Sequence, residues 1–171
     1  MADSRHSERS NVAHLSSAAA VSAIILIAAC AGAPRNTDPE PSAGRLAINP
    51  PGIAPLVPAY SVAIRDGEFV YVSGMTGFIP GTQDIVDGGI AAQTRQALDN
   101  VRASLVAAGA RMADVGECTV FLRDMGDYAA MNAVYREFFP TEPPARATVA
   151  VSALPRPAAL VEIKCSARIR Q

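Results

Sequence analysis

An arginine opens a β-branched run directly behind a rigid double proline in Pro143-Pro144-Ala145-Arg146-Ala147-Thr148-Val149. A guanidinium is planar, permanently charged and forked, the geometry that pairs with a carboxylate. Little else in the chain offers familiar catalytic chemistry. His6 and His14 are the two histidines and both lie close to the N-terminus, so the rest of the chain can build neither a Ser-His-Asp or Cys-His device nor a histidine metal site. There is no G-x-x-x-x-G-K-[ST] phosphate loop and no G-x-G-x-x-G turn. No metal and no cofactor is expected. What remains is chemistry performed by a positioned arginine, carboxylates, hydroxyls and backbone groups.

The elements that must position these groups follow from periodicity. Tyr60–Ile64 and Phe69–Ser73 are β-branched and aromatic runs around Arg65-Asp66-Gly67-Glu68, which reads as a hairpin with an Asp-Gly turn. Gly74–Gly89 is rich in Gly, Pro and Asp and reads as a long surface loop of the kind that borders sites. Ile90, Thr94, Leu98, Val101, Leu105 and Ala108 share a helical face, with Gln93, Arg95, Asn100 and Arg102 elsewhere, and Gly109 ends that helix. A strand over Glu117–Leu122 follows. Asp124 or Asp127 can cap a second helix with Tyr128, Met131, Tyr135 and Phe138 on one face, closed by Pro140. Strands over Arg146–Val151 and Leu160–Cys165 flank a Leu154-Pro155-Arg156-Pro157 turn. The order β-β-α-β-α-β-β predicts an α/β (α+β) domain: a mixed sheet of about five strands with two helices on one face. Its uncovered apolar face predicts oligomerisation.

The folded part is expected at 45–171. A domain of that size buries well over half of the surface its unfolded chain exposes, so it needs no disulfide to fold. Residues 1–30 have signal-peptide anatomy: Arg5 and Arg9 precede an uncharged stretch from Leu15 to Ala29 whose apolar core is too short for the roughly 20 residues of a bilayer-spanning helix. Ile27-Ala28-Ala29-Cys30 resembles a bacterial lipobox, which makes Cys30 the expected lipidation site. The alternative is ordinary secretion after Ala31-Gly32-Ala33, although Pro34 follows that position. Residues 31–44 are polar and proline-punctuated, a flexible linker. The protein is therefore expected outside the cytosol, in the periplasm or cell envelope, touching the membrane through its N-terminal lipid alone. With a net charge of -1 and a single lysine, Lys164, it lacks the basic concentration that nucleic acid requires.

Nine segments, in order, carry a resemblance. They are Tyr60-Ser61, Val72-Ser73-Gly74, Ala92-Gln-Thr-Arg95, Thr119-Val-Phe-Leu122, Met131-Asn-Ala-Val-Tyr135, Phe138-Phe139, Pro144-Ala-Arg146, Ala153-Leu-Pro155 and Val161-Glu-Ile163. Together they resemble the RidA (YjgF-like) family of reactive intermediate deaminases from about Ile48 to Ile169. The resemblance implies a chorismate-mutase-like fold, a homotrimer with sites in the clefts between subunits, and cofactor-free hydrolysis of small enamines and imines such as 2-aminoacrylate to 2-keto acids and ammonia.

It also implies roles. Arg146 is the clamp for the substrate carboxylate, and Glu162 is the carboxylate that positions or activates the attacking water. Tyr60, Ser73, Gly74, Asn132 and Thr148 are substrate-binding positions. Thr148 stands where many members of the family carry cysteine or serine, Met75 where glutamine is common, and Lys164 with Cys165 in place of a more acidic or aliphatic run. Lys164 lies two residues from Glu162 on one strand face and is expected to neighbour it. Cys118 and Cys165 read as small buried residues that pair only if their strands are adjacent. Beside the deaminase stands a second reading from another class, a ligand-binding or signalling lipoprotein that keeps the clamp without turnover.

Overall fold

The computed structural model describes residues 44–170; the signal-like segment, Cys30 and all of the linker before Gly44 lie outside the described residues. Among the described residues no helix is long and apolar enough to cross a membrane. Seven strands and two α-helices follow one another as β1 (Arg45–Ile48), β2 (Ala63–Asp66), β3 (Phe69–Val72), β4 (Met75–Thr76), α1 (Gly89–Ala107), β5 (Val115–Leu122), α2 (Tyr128–Phe138), β6 (Ala145–Ala150) and β7 (Val161–Arg168), with single 3-10 turns at Met112–Asp114 and Met125–Asp127. The strands form one sheet in the order β1-β2-β3-β7-β5-β6, and β4 continues the β3 edge of β7. All pairs are antiparallel except β5 with β6. The architecture is the mixed α+β fold with two helices that the order of elements predicts.

Two strands exceed the expectation. β1 lies on the edge of the sheet, pairs β2 through backbone alone and exposes Arg45, Leu46 and Ala47, so its side chains carry no alternation to read. β4 sits inside the stretch expected to be a surface loop. Met75 and Thr76 are buried there, Phe78 is buried just beyond, and Phe78 bridges to Ile85. The hairpin is present but later in the chain than expected: β2 starts at Ala63, and Gly67 at φ +58° opens the two-residue loop that joins Asp66 to Phe69.

The long helix buries Ala97, Leu98, Val101 and Leu105 against the sheet. It ends as Gly109 predicts: Gly109 N–H donates to Val106 and Ala110 N–H to Leu105, the paired bonds of a Schellman cap, with Gly109 at φ +85°. Gln93 and Asn100, placed off the apolar face by the sequence, are buried. They are kept there by hydrogen bonds: Asn100 Nδ2 donates to the carbonyls of Thr76 (3.1 Å) and Phe78 (2.9 Å), and Gln93 accepts from Leu160 N–H (2.7 Å) and donates to Ala158 (3.2 Å). Both tie site-bearing loops to the helix.

Strict alternation along β7 buries Val161, Ile163, Cys165 and Ala167 in the core and turns Glu162, Lys164, Ser166 and Arg168 to the other face. That second face exposes Phe69 and Tyr71, stacked with centroids 6.4 Å apart. Cys118 and Cys165 are direct partners across β5 and β7 and form a disulfide, Cα–Cα 4.1 Å.

Candidate functional site

The residues implicated by sequence fall into two groups. The first is built around Glu162. Met75 and Thr76 pair with Ile163 and Glu162, which draws the chain just before β4 under the glutamate. Glycine at position 74 makes room for the glutamate: a Cβ there would stand 2.6 Å from Glu162 Cδ and 2.9 Å from its Cγ and push the carboxylate aside. Glu162, Gly74, Tyr60 and Thr76 line one cavity of about 290 Å³, walled by Leu56, Val57 and Phe78. Tyr60 Oη accepts a hydrogen bond from Leu56 N–H at 2.8 Å, so its own proton is left to donate into the cavity. Burial raises the pKa of Glu162 above the ordinary carboxylate value, and among the described residues it makes no ion pair that would oppose the shift. Lys164 shares its strand face but is exposed and makes no ion pair among the described residues. Ser73 lies beside the cavity. Its hydroxyl donates to the Ser61 carbonyl at 2.8 Å and its N–H to Val62, fixing the strand that presents Gly74.

The second group surrounds Arg146. In register, Arg146 sits beside Cys118 on β5 and Thr148 beside Val120, on the helix-bearing side of edge strand β6. Tyr128, Asn132 and Tyr135 follow one another at i, i+4 and i+7 on α2, and the two tyrosines contact this arginine. Arg146 Nη2 donates to Tyr128 Oη at 3.0 Å, and its guanidinium carbon lies 4.5 Å from the Tyr135 ring centroid and 5.7 Å from that of Tyr128. Stacking on two rings orients the fork and leaves its remaining donors for an anion. Thr148 Oγ1 and Tyr135 Oη are buried with no hydrogen-bond partner, as expected where a ligand or water belongs. Burial holds the Tyr135 phenol up at about 12, against the opposing pull of Arg146, so it stays neutral and takes no part as a base.

Arg146 and Glu162 therefore do not meet within one chain. Arg146 shares a row with Cys118 and Cys165, while Glu162 shares one with Phe121 and Val149 on the opposite face of the sheet. Two strand spacings and three residues separate their Cα atoms by about 14 Å. Sequence reasoning named seven binding or catalytic residues without this division. It missed Tyr128 and Tyr135 as the seat of the arginine, taking both as core aromatics, and it missed Thr76 and Arg156 in the cavity wall. An aromatic at a helix position four residues from Asn132 was the available signal for Tyr128.

The sequence profile of the endoribonuclease L-PSP family matches residues 53–169, and the chain belongs to that family, to which RidA and RutC proteins also belong. A RutC family protein from Pyrococcus horikoshii is 47% identical over 108 residues, covering 63% of this chain and 85% of its own. A 2-iminobutanoate/2-iminopropanoate deaminase from Dermatophagoides farinae is 40% identical over 112 residues, 66% of this chain and 87% of its own. The crystal structure of the YjgF gene product from E. coli matches with a TM-score of 0.67 at 35% identity, over 73% of this chain and 99% of that one.

Proposed function

We propose that the protein hydrolyses small imines and enamines of the 2-aminoacrylate and 2-iminopropionate type to 2-keto acids and ammonia, without a cofactor. The observation that carries this reading is the half-buried Glu162 carboxylate, seated on Gly74, with a raised pKa and with the Tyr60 hydroxyl in the same cavity. A carboxylate so placed is a stronger proton acceptor than an ordinary solvated one. Two relatives named as 2-iminobutanoate/2-iminopropanoate deaminases and one named as a reactive intermediate deaminase, at 39–40% identity, support the same chemistry.

The step needs only these groups. Glu162 takes a proton from water as the oxygen attacks the imine carbon, and the nitrogen gains a proton from Tyr60 or solvent. The tetrahedral carbinolamine then loses ammonia, which leaves with the proton Glu162 had taken, while the hydroxyl proton returns to Tyr60 or solvent and the carbonyl forms. The substrate carboxylate is held by Arg146, with Asn132 and the unpartnered Thr148 hydroxyl around it. Because Arg146 and Glu162 lie on opposite sheet faces, the working site joins the Arg146 group of one subunit to the Glu162 group of the next in a closed homotrimer. The exposed Phe69 and Tyr71 face supports such assembly.

The protein acts outside the cytosol, anchored through Cys30. The Cys118–Cys165 disulfide fits an oxidising compartment. The test is loss of 2-iminopropionate, generated in situ, with purified protein and with Arg146→Ala. Acceleration that requires Arg146 supports the deaminase. No acceleration over buffer overturns it in favour of a lipoprotein that only binds ligand.

A further inference from the structure

The wall of the Glu162 cavity contains a second guanidinium that the proposed chemistry leaves unused. Arg156, in the turn between β6 and β7, is 8% exposed. Its Nη1 donates to the Gln83 carbonyl (2.8 Å) and to Gln83 Oε1 (2.7 Å), and its guanidinium carbon lies 4.7 Å over the Phe78 ring. Those contacts anchor one corner of the fork. Among the described residues Nε and Nη2 have no protein acceptor and no carboxylate comes within ion-pair distance. Asp84 lines the neighbouring groove with Arg156 without reaching it. An arginine cannot shed its charge, so a desolvated one without a counter-ion is unfavourable unless an anion arrives.

A second observation points the same way. Thr76, 4% exposed, lines the same cavity, and its hydroxyl oxygen has no hydrogen-bond partner. Between these polar groups and Glu162 the wall is apolar, formed by Leu56, Val57, Met75 and Phe78. No ion pair joins Arg156 to Glu162, so the space between them is open to a ligand that spans it. At about 290 Å³ the cavity approaches the lower bound of about 300 Å³ for drug-sized ligands, more than a three-carbon acid requires.

We infer that this cavity recognises a second anionic group through Arg156 and Thr76, which makes the preferred ligands dicarboxylic: imines or keto acids with an acidic group separated by a short aliphatic spacer from the 2-carboxylate. Glu162 faces the reacting carbon, the methylenes lie along Leu56, Val57 and Phe78, and the distal carboxylate meets the two unpaired nitrogens of Arg156. The assignment of the reacting end rests on the deaminase reading. Recognition of the distal acid does not.

Calorimetric titration of the full-length protein with 2-oxoglutarate and with 2-oxobutyrate, each a product analogue, separates the two. The expected result is tighter binding of 2-oxoglutarate by at least about tenfold, the worth of one charge-assisted hydrogen-bond set. Arg156→Gln brings the ratio of the two affinities close to one, and Arg156→Lys, which keeps the charge without the fork, falls between. Equal affinities in the wild-type protein overturn the inference with no variant needed, as does a preference that Arg156→Gln leaves intact. Failure to turn over 2-iminopropionate would sink the deaminase reading while leaving this ratio to be judged alone.

Discussion

The Glu162 and Arg146 halves of the site are built in opposite ways. Glu162 stands on β7, one of the two central strands of the sheet order, half-buried, packed on a glycine and without an ion pair among the described residues. Arg146 stands on the edge strand β6, held from one side by two tyrosine rings of α2. One environment raises a pKa and prepares a proton acceptor; the other leaves a permanent charge oriented and in reach of solvent. A small imino acid needs both within a few ångströms, and one chain keeps them about 14 Å apart on opposite faces. On the proposed reading the contrast divides the labour between subunits: the half assigned acid-base work lies beside the cavity, and the half assigned to hold charge is offered at an edge.

The largest effect should come from breaking the Glu162 half. Glu162→Gln is expected to lower kcat for 2-iminopropionate by about 10²–10⁴, the usual worth of a general base, while leaving carboxylate binding. In the wild type the base is lost as pH falls through the raised pKa, so the acid limb of the kcat/KM profile should lie above the ordinary carboxylate range. The stability sign follows from the same shift. A raised folded pKa contributes stability that is present below the unfolded pKa and lost as pH rises through the folded one. Glu162→Gln should therefore melt higher than wild type near neutrality, and the gap should close in acid.

The disulfide comes next, because it staples β5 to β7 between the halves. Its 47-residue separation corresponds to about 4 kcal/mol in the chain-entropy treatment. Reduction, or Cys118→Ala with Cys165→Ala, should lower the unfolding free energy by an amount approaching that, read from urea denaturation with and without reductant. Arg146→Ala should raise KM and lower kcat/KM by roughly 10²–10³, the loss of a charge-assisted pair, with the binding of 2-oxobutyrate falling in step. Gly74→Ala should cost about 10–100-fold in kcat by displacing the Glu162 carboxylate from its seat, with the fold retained by circular dichroism. Smallest of all, Tyr128→Phe removes one hydrogen bond to Arg146 and should raise KM about two- to fivefold, since the rings still orient the fork.

Much of this was open to reading from the residues. Helical spacing placed both helices, Gly109 marked the end of α1, and the order of motifs singled out Tyr60, Gly74 and Glu162, which do share a cavity. Buried Gln93 and Asn100 were misplaced because periodicity counts apolar side chains, whereas these two are stabilised by backbone donors and acceptors brought in from β4, from the residues just after it and from the loop before β7. β4 was hidden for a related reason: two residues in a Gly- and Pro-rich stretch show no alternation, and only pairing with β7 makes them a strand. Pairing of Cys118 with Cys165, and separation of Arg146 from Glu162, both depend on which strands are neighbours and in what register. Alternation within a strand assigns relative faces but not the neighbour.

Subunit complementation tests the central claim most directly. Arg146→Ala and Glu162→Gln proteins, each deficient in imine turnover, would be unfolded together in equal amounts, refolded, and assayed on 2-iminopropionate with the mixed oligomers verified by native mass spectrometry. If each site takes Arg146 from one subunit and Glu162 from its neighbour, about a quarter of the sites in a random mixture are intact and turnover returns to about a quarter of wild type. Mixed oligomers that remain as inactive as the parents would contradict a site divided between subunits.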